Sequence, residues 1–216
     1  MTIEERLEKL ETELAETKAG LAAEICTQNF LIVNADGQPC ARLGMTEDGA
    51  MLALCDENGK VRAWLGVGKD GPVLSLRDEN DKVRAGLSVF KDGPGLRLWD
   101  ANDKTRAVLG VTEDGSGLSL YDKKGEIRAG LGVTKDGPEL DLHDENGNNR
   151  AGMAVDKNGP GLSLWDENGK GRAGLAVTED GPGLLMSDEK GQLRALLGMF
   201  KDGPGLGLYD ANGKRI

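Results

Sequence analysis

Apolar residues at the start of the chain follow a heptad pattern. Counted from Ile3, the spacings alternate between four and three residues, the a/d spacing of a coiled-coil seam. The seam positions are Ile3, Leu7, Leu10, Leu14 and Leu21, with Thr17 filling the remaining one. The pairs Arg6–Glu11 and Glu13–Lys18 would join g and e positions with opposite charges, which favours parallel helices. The pattern predicts a coiled-coil oligomerisation helix over residues 1–25, although an amphipathic helix packed on its own domain has the same spacing.

Beyond residue 25 the pattern becomes an apolar–polar alternation carried by a 22-residue repeat. A typical unit, residues 161–182, reads GLSLWDENGKGRAGLAVTEDGP. Each unit has an aspartate, and an arginine follows most of these after six residues. The aspartates are Asp56, Asp78, Asp100, Asp122, Asp144, Asp166, Asp188 and Asp210, preceded at a spacing of 20 by Asp36. The arginines are Arg42, Arg62, Arg84, Arg106, Arg128, Arg150, Arg172 and Arg194. Residues 26–216 therefore form about eight units, with the first one shortened.

Two turn signals in each unit predict an antiparallel β-meander. Asn-Gly, as in Asn168-Gly169, is typical of a two-residue type I′ hairpin turn, which needs positive φ at both positions. Asp-Gly-Pro, as in Lys135-Asp136-Gly137-Pro138, indicates a four-residue loop because proline cannot donate a ladder hydrogen bond.

These turns set a strand register that can be tested against the apolar pattern. The first turn places Leu162 opposite Leu175 and Trp165 opposite Arg172, and the second places Val177 opposite Leu184. Both turns leave the aliphatic residues on one face, which supports the meander. Equivalent residues would be displaced by two positions in each hairpin, so this register also predicts a sheared sheet.

The apolar face is predicted to be the structural core. Its members in two representative units are Leu96, Leu98, Leu109, Val111, Leu162, Leu164, Leu175 and Val177. A single sheet with one apolar face is not stable in water, so that face must be covered. Three sheets around a common axis would cover it, and a parallel coiled coil would hold three chains in register. The fold class is therefore mainly β, an N-terminal coiled-coil helix followed by a β-meander in a homotrimeric triangular β-prism. A closed barrel or two-layer sandwich within one chain is the alternative.

The combination of a coiled-coil seed, short repeats and Gly/Pro turns resembles trimeric fibrous β-repeat proteins. These are the β-shafts and β-prisms of viral fibres and tail spikes. The resemblance covers most of the chain at the level of architecture, and no motif of a particular family matches residue by residue. It implies an elongated homotrimer whose role is structural, as a rod or spacer.

The polar face carries aromatic residues opposite arginines, which are the candidate surface-binding residues. They are Trp99, Arg106, Tyr121, Arg128, Trp165, Arg172 and Tyr209. Such a column suits a glycan or protein ligand, whereas simple cation–π stacking is the structural interpretation. Other residues fill the aromatic position elsewhere, namely Cys55, Arg77, His143 and Ser187, which argues against one repeated pocket.

Charge and cysteine content narrow the function classes. The net charge is −10 and no basic patch is present, so we expect no nucleic-acid partner. The three cysteines, Cys26, Cys40 and Cys55, lack the spacing of a zinc site. No signal peptide or apolar stretch long enough to span a membrane is apparent, so a cytoplasmic location or a place in a surface or phage-like assembly is expected.

Catalytic signatures are missing from the sequence. His143, the single histidine, has no evident acid–base partner. The Asp56-Glu57-Asn58-Gly59 turn superficially resembles a calcium loop, but turn geometry already explains its asparagine and glycine. No phosphate-binding glycine loop or nucleophile motif occurs. We therefore expect a non-enzymatic protein without metal or cofactor, with itself as the principal partner.

Overall fold

The computed structural model describes residues 2–21 and 28–216, and it begins with one helix. Helix α1, Ile3–Leu21, starts with a capping box, in which the Thr2 amide donates to Glu5 Oε2 at 2.7 Å and the Glu5 amide donates to Thr2 Oγ1 at 3.2 Å. The heptad residues Ile3, Leu7, Leu10 and Leu14 are 54–88% exposed. Within the described ranges the helix contacts no strand, so it is not packed on its own β-domain.

Some sequence predictions fall on residues that the structure does not describe. The side chain of Leu21, the end of the predicted helical segment and Cys26 lie outside the described residues.

Seventeen strands follow the helix, and each pairs antiparallel with the next one along the chain. They are β1 Asn29–Val33, β2 Pro39–Met45, β3 Ala50–Cys55, β4 Val61–Gly68, β5 Gly71–Arg77, β6 Val83–Phe90, β7 Gly93–Trp99, β8 Thr105–Thr112, β9 Gly115–Tyr121, β10 Ile127–Thr134, β11 Gly137–His143, β12 Asn149–Asp156, β13 Gly159–Trp165, β14 Gly171–Thr178, β15 Gly181–Ser187, β16 Leu193–Phe200 and β17 Gly203–Leu208. The predicted mainly-β antiparallel meander is confirmed. The sheet is open, and among the described residues strands contact only their chain neighbours, so the closed barrel and the intramolecular sandwich are wrong.

The Asn-Gly turns differ from the predicted two-residue type I′ turn. In the Asp166 turn, the Gly169 amide donates to the Asp166 carbonyl at 3.1 Å, and the Asp166 amide donates to the Lys170 carbonyl at 2.9 Å. Only Gly169 has positive φ, at 74°, which defines a three-residue loop with a glycine bulge. The extra residue shifts the register, so Trp165 pairs with Gly171 and not with Arg172.

The Gly–Pro turns are shorter than predicted. Thr178 pairs directly with Gly181, so the loop has two residues, and Val177 pairs with Pro182 and not with Leu184. Proline is accommodated because it stands next to the closing pair, where the antiparallel ladder has no hydrogen bond across the hairpin. The four-residue loop was therefore wrong by two residues, although every side chain keeps its predicted face.

The shorter turn removes the predicted shear. Leu162 pairs with Leu175, which in turn pairs with Leu184, one full repeat after Leu162. Equivalent residues therefore line up straight across the sheet. The strands run at right angles to the direction in which repeats succeed one another, so barrel closure, which needs a stagger, is not favoured.

The first unit is in register with the others and is not shortened. Its turn is organised by Asn34, whose Oδ1 accepts from the Asp36 amide at 3.0 Å and the Gln38 amide at 2.9 Å. Asn34 precedes Asp56 by 22 residues, so the repeat extends back to it unbroken. The prediction that used Asp36 as the first repeat aspartate is wrong, because the equivalent position is held by an asparagine.

Candidate interaction surfaces

Alignment of the repeats places a continuous column of leucines along the middle of one face. We call it the leucine ladder: Leu43, Leu52, Leu65, Leu74, Leu87, Leu96, Leu109, Leu118, Leu131, Leu140, Met153, Leu162, Leu175, Leu184, Leu197 and Leu206. Each member pairs directly with the next, so every strand from β2 to β17 supplies one.

Smaller residues flank the leucine ladder on both sides. Towards the Asn-Gly turns, alanine and leucine alternate, as in Ala173 opposite Leu164. Towards the Gly–Pro turns, valine faces proline, as in Val177 opposite Pro182. The apolar face is therefore bulkiest along its midline.

This face is not buried within the chain. Of the predicted core residues, Leu109, Leu175 and Val177 are 48–50% exposed, and Leu162 is half-buried. The others are exposed to a similar degree, with Leu96 at 38%, Leu98 at 41%, Val111 at 47% and Leu164 at 42%. Among the described residues only Ala41 and Ala53 are apolar and buried. The predicted core is thus a surface of the single chain.

Along the Asn-Gly turns, aspartates and arginines form a second continuous structure, which we call the Asp–Arg ladder. Asp166 Oδ1 accepts from the Asn168 and Lys170 amides at 2.9 and 3.1 Å, and its Oδ2 accepts from Arg172 Nη1 at 3.3 Å. Arg172 Nε donates to the Ser187 carbonyl at 3.0 Å, next to the following turn. One arginine therefore ties its own turn to the next.

The same contacts recur in most units. The ladder pairs are Asp56–Arg62, Asp78–Arg84, Asp100–Arg106, Asp122–Arg128, Asp144–Arg150, Asp166–Arg172 and Asp188–Arg194. In Arg84 and Arg194, Nε holds the aspartate and Nη1 donates to the carbonyl of the next aspartate. Arg42 is not part of the ladder, because in the first unit Cys40 occupies the position of the ladder arginines. Arg42 instead donates to Asn29 Oδ1 at 2.8 Å.

These contacts lower the pKa of the ladder aspartates. For Asp166, the hydrogen bond from the Lys170 amide is the largest influence and holds the pKa below the ordinary 3.8, against partial desolvation, with Arg172 adding to the effect. For Asp56, desolvation is the largest single influence and raises the pKa, but the Lys60, Asn58 and Arg62 contacts together lower it. Both carboxylate oxygens of Asp56 accept hydrogen bonds, from Asn58, Lys60 and Arg62, so the turn accounts for this aspartate without a calcium ion.

The predicted opposition of aromatic residues and arginines is wrong in detail. The bulge pairs Trp99 with Thr105, where Asp103 takes the positive φ, and Tyr121 with Ile127, where Gly125 takes it. Arg106 and Arg128 instead donate to carbonyls of the following unit, at Tyr121 and His143. The ring–cation contact that does form lies within one strand, with the Arg97 guanidinium 5.9 Å from the Trp99 ring centre.

Aromatic rings on the polar face lie across glycines. A Cβ on Gly86 would be 3.2 Å from the Trp99 ring, and one on Gly152 would be 3.2 Å from the Trp165 ring. Tyr209 similarly covers Gly207. The glycines of the polar face thus make room for rings from their own or the neighbouring strand.

A depression of about 580 Å³ on the polar face lies over strands β4–β8. We call it the aromatic trough. Its lining includes Trp64, Phe90 and Trp99, the arginines Arg77 and Arg97, and Ser75. Only Trp99 was a sequence candidate. The others carry no repeat signal in the sequence, because Trp64, Phe90 and Arg97 replace smaller residues in most other units.

The remaining sequence candidates are isolated. The His143 ring Nδ1 lies 3.2 Å from the Gly147 carbonyl, and Cys40 and Cys55 are half-buried free thiols. Within the described ranges there is no group of three or more acidic, cysteine or histidine side chains placed to hold a metal. In that part of the chain no helix combines the length and the apolar character that crossing a membrane requires.

Comparisons with known proteins give little. No protein-family model matches the chain, and no curated protein matches it. Among solved structures it is similar to one described as "Crystal Structure of TcdB2-TccC3", with 10% identity and a TM-score of 0.21, over 93% of this chain and 13% of the other. The chain therefore spans about an eighth of that structure's chain, and the low TM-score supports no argument about fold or function.

Proposed function

We propose that this protein is a non-enzymatic structural rod, a homotrimer in which three sheets pack their apolar faces around one axis. The observation that carries the proposal is the exposed leucine ladder with its flanking columns. The chain exposes 15723 Å² in total, against about 9,600 Å² expected for a compact monomer of its mass. That excess is the signature of a chain whose core is completed by other copies.

The energetics favour covering this face. Burying the exposed half of a leucine side chain contributes on the order of 1 kcal/mol, so the ladder alone supplies roughly 15 kcal/mol per chain. The flanking columns add to this. The sum exceeds or matches the roughly 4–15 kcal/mol that association costs in lost freedom. Copies of this chain are suitable partners because the ladder runs the full length of the sheet.

The size gradient across the face favours three sheets over two. Strands of seven or eight residues are about 25 Å long, so a triangular prism of that side places each sheet centre about 7 Å from the axis and narrows towards the corners. Two packed sheets have a uniform gap of about 10 Å. Leucine at nearly every midline position suits the prism, since alanine replaces every second leucine on one flank and valine and proline fill the other.

The absence of shear also supports a straight rod. Because equivalent residues align, the leucine ladder runs parallel to the repeat direction and can follow one axis from β2 to β17. Seventeen strands spaced by about 4.8 Å give a rod of roughly 75–80 Å. Helix α1, with its exposed heptad seam, would act as a parallel coiled coil that brings three chains into register.

The test is the solution mass by light scattering, for the full chain and two variants at neighbouring positions on β13. Leu162→Lys places a charge in the leucine ladder, whereas Ser163→Lys places it on the polar face. We expect three times 22.9 kDa for the wild type and for Ser163→Lys, and loss of the trimer for Leu162→Lys. A monomeric wild type would overturn the proposal, and a dimer would replace the prism by a two-sheet sandwich.

A further inference from the structure

From the aromatic trough we propose a binding site for an anionic saccharide, a sugar ring that bears a carboxylate or a sulfate. The trough belongs to the polar face, opposite the leucine ladder. The site therefore does not depend on the trimer and would remain open in the rod.

The trough lies where the repeat is broken on the polar face. In the other units, the positions of Trp64 and Arg97 are filled mainly by glycine, serine or short apolar residues. Here a floor of small residues, including Gly86 and Gly95, runs between ring-bearing walls formed by Trp64, Phe90 and Trp99. Because strands pair without offset, side chains from β4, β6 and β7 converge on one depression.

The walls fit the apolar face of a sugar ring. The Trp99 ring lies close over Gly86, and the Trp64 ring lies close over Gly66 on its own strand. Aromatic faces of this kind offer broad apolar contact at little entropic cost, because their side chains are already ordered. A volume of about 580 Å³ is within the range of small-molecule sites.

The charges select an anion. Arg97 reaches over Trp99 and makes no ion pair with the described residues, and Arg77 shares one contact with Asp81 at 2.9 Å. Guanidinium groups bind carboxylates and sulfates through paired hydrogen bonds. Asp92 lines the trough as well, near Phe90, so the positive charge is concentrated at the end that holds Arg77 and Trp99.

Two polar groups of the trough lie buried without a hydrogen-bond partner among the described residues. Ser75 lines the trough and is 6% exposed, and its hydroxyl has no hydrogen-bond partner among the described residues. Arg77 Nε is likewise buried without a partner there. Buried polar groups are almost always hydrogen-bonded, so a hydroxylated ligand that displaces the side chains covering these two atoms would supply hydrogen bonds that the chain does not.

Trp165 provides an internal control for this assignment. It lies across Gly152 with the same geometry that Trp99 has over Gly86. Its depression, of about 270 Å³, is lined by acidic residues, among them Glu139, Asp141 and Asp156. A ligand that bound to a tryptophan ring alone would occupy both depressions, whereas an anion would occupy only the aromatic trough.

The experiment is calorimetric titration of the full chain with trigalacturonate, with a heparin-derived tetrasaccharide and with neutral galactotriose. We expect one of the two anions to bind, with at least tenfold preference over galactotriose. Preference for trigalacturonate identifies a carboxylate ligand, and preference for the heparin fragment a sulfated one. Binding of neither anion, or equal binding of galactotriose, would overturn the proposal.

Variants then locate the site. Trp99→Ala and Arg97→Gln should each weaken binding at least tenfold, whereas Trp165→Ala should leave it unchanged. Equal loss in Trp165→Ala would show a non-specific tryptophan surface and would overturn the assignment to the trough. Far-ultraviolet circular dichroism and solution mass, unchanged in Arg97→Gln, keep loss of binding separate from loss of fold or of the rod.

Discussion

The glycine that closes a Gly–Pro turn is required for its backbone conformation and, in most units, for the close approach of the next strand. Its φ is positive, 118° at Gly181, a region that side chains rarely adopt. In addition, a Cβ on Gly181 would be 1.9 Å from the Met199 carbonyl oxygen on the next strand. Gly203 has nearly the same φ, 113°, but no atom within 4 Å of that position. The two glycines therefore differ in neighbour contact and share the backbone requirement.

We predict that Gly181→Ala destabilises the protein more than Gly203→Ala. The unusual φ destabilises both variants by about 1–2 kcal/mol. Only Gly181→Ala must also displace a neighbouring strand, which costs about 1–3 kcal/mol more. Denaturant unfolding of the two variants measures the difference. Equal losses would show that the stacked turns do not hold each other closely.

The ladder aspartates should make stability depend on acid pH. Their folded pKa values lie below the ordinary 3.8, as for Asp166, so the stabilisation is complete above that pH. It is lost as the pH falls through the folded values and the carboxylates become protonated. We expect denaturant midpoints to fall steeply below pH 4, and Asp166→Asn to flatten this dependence. Glu167→Gln removes a charge from the same turn without touching the Arg172 contact, and a similar flattening there would contradict the assignment.

At the scale of elements, apolar positions on the two faces can be compared directly. Leu175 in the leucine ladder is 50% exposed in the single chain, and Leu185 on the polar face is 40% exposed. For an isolated sheet, Leu185→Ala should therefore cost at least as much as Leu175→Ala. In the proposed rod the order reverses, because Leu175 becomes core, where truncation costs about 2–5 kcal/mol. Unfolding of both variants at several protein concentrations distinguishes the two cases.

The elements also show what the sequence could and could not predict. Period-two alternation and turn residues were enough for the strands, their order and the division into faces. The register was harder to predict. The Asp166-Glu167-Asn168-Gly169 turn closes through a bulge, and the Asp180-Gly181-Pro182 turn has a two-residue loop. Residue types alone do not specify either loop length. The bulge left the predicted Leu162–Leu175 pairing unchanged, so the error in the second turn alone suggested a shear that the sheet does not have.

How far each candidate surface could be predicted depends on whether it requires the strand register. The leucine face follows from periodicity alone. The Asp–Arg ladder was signalled by the constant six-residue spacing, but its contact with the next turn depends on register. The aromatic trough depends on residues from five strands that come together only when repeats align without offset, so single-strand patterns could not reveal Trp64 and Arg97 as neighbours of one depression.

At the scale of the whole molecule, the two oligomerisation elements should contribute unequally. Helix α1 has 19 residues, a length that is marginal for an independent coiled coil, whereas the leucine ladder spans sixteen strands. Replacing Leu7 and Leu14 by serine should therefore weaken the trimer without abolishing it. Light scattering should show three chains at high concentration and dissociation on dilution, at concentrations where the wild type stays intact.

Glu8→Ser and Glu16→Ser together provide the matched control, since both positions lie outside the a/d seam and outside the e and g positions of the predicted charge pairs. The control should dissociate no more readily than the wild type. If the Leu7 and Leu14 variant is monomeric at every concentration, the helix alone holds the chains together and the apolar faces do not meet. If it is as tight as the wild type, the helix sets neither register nor affinity. Only the intermediate result, a trimer that survives but dissociates on dilution, fits a rod whose sheets form the core and whose helices align them.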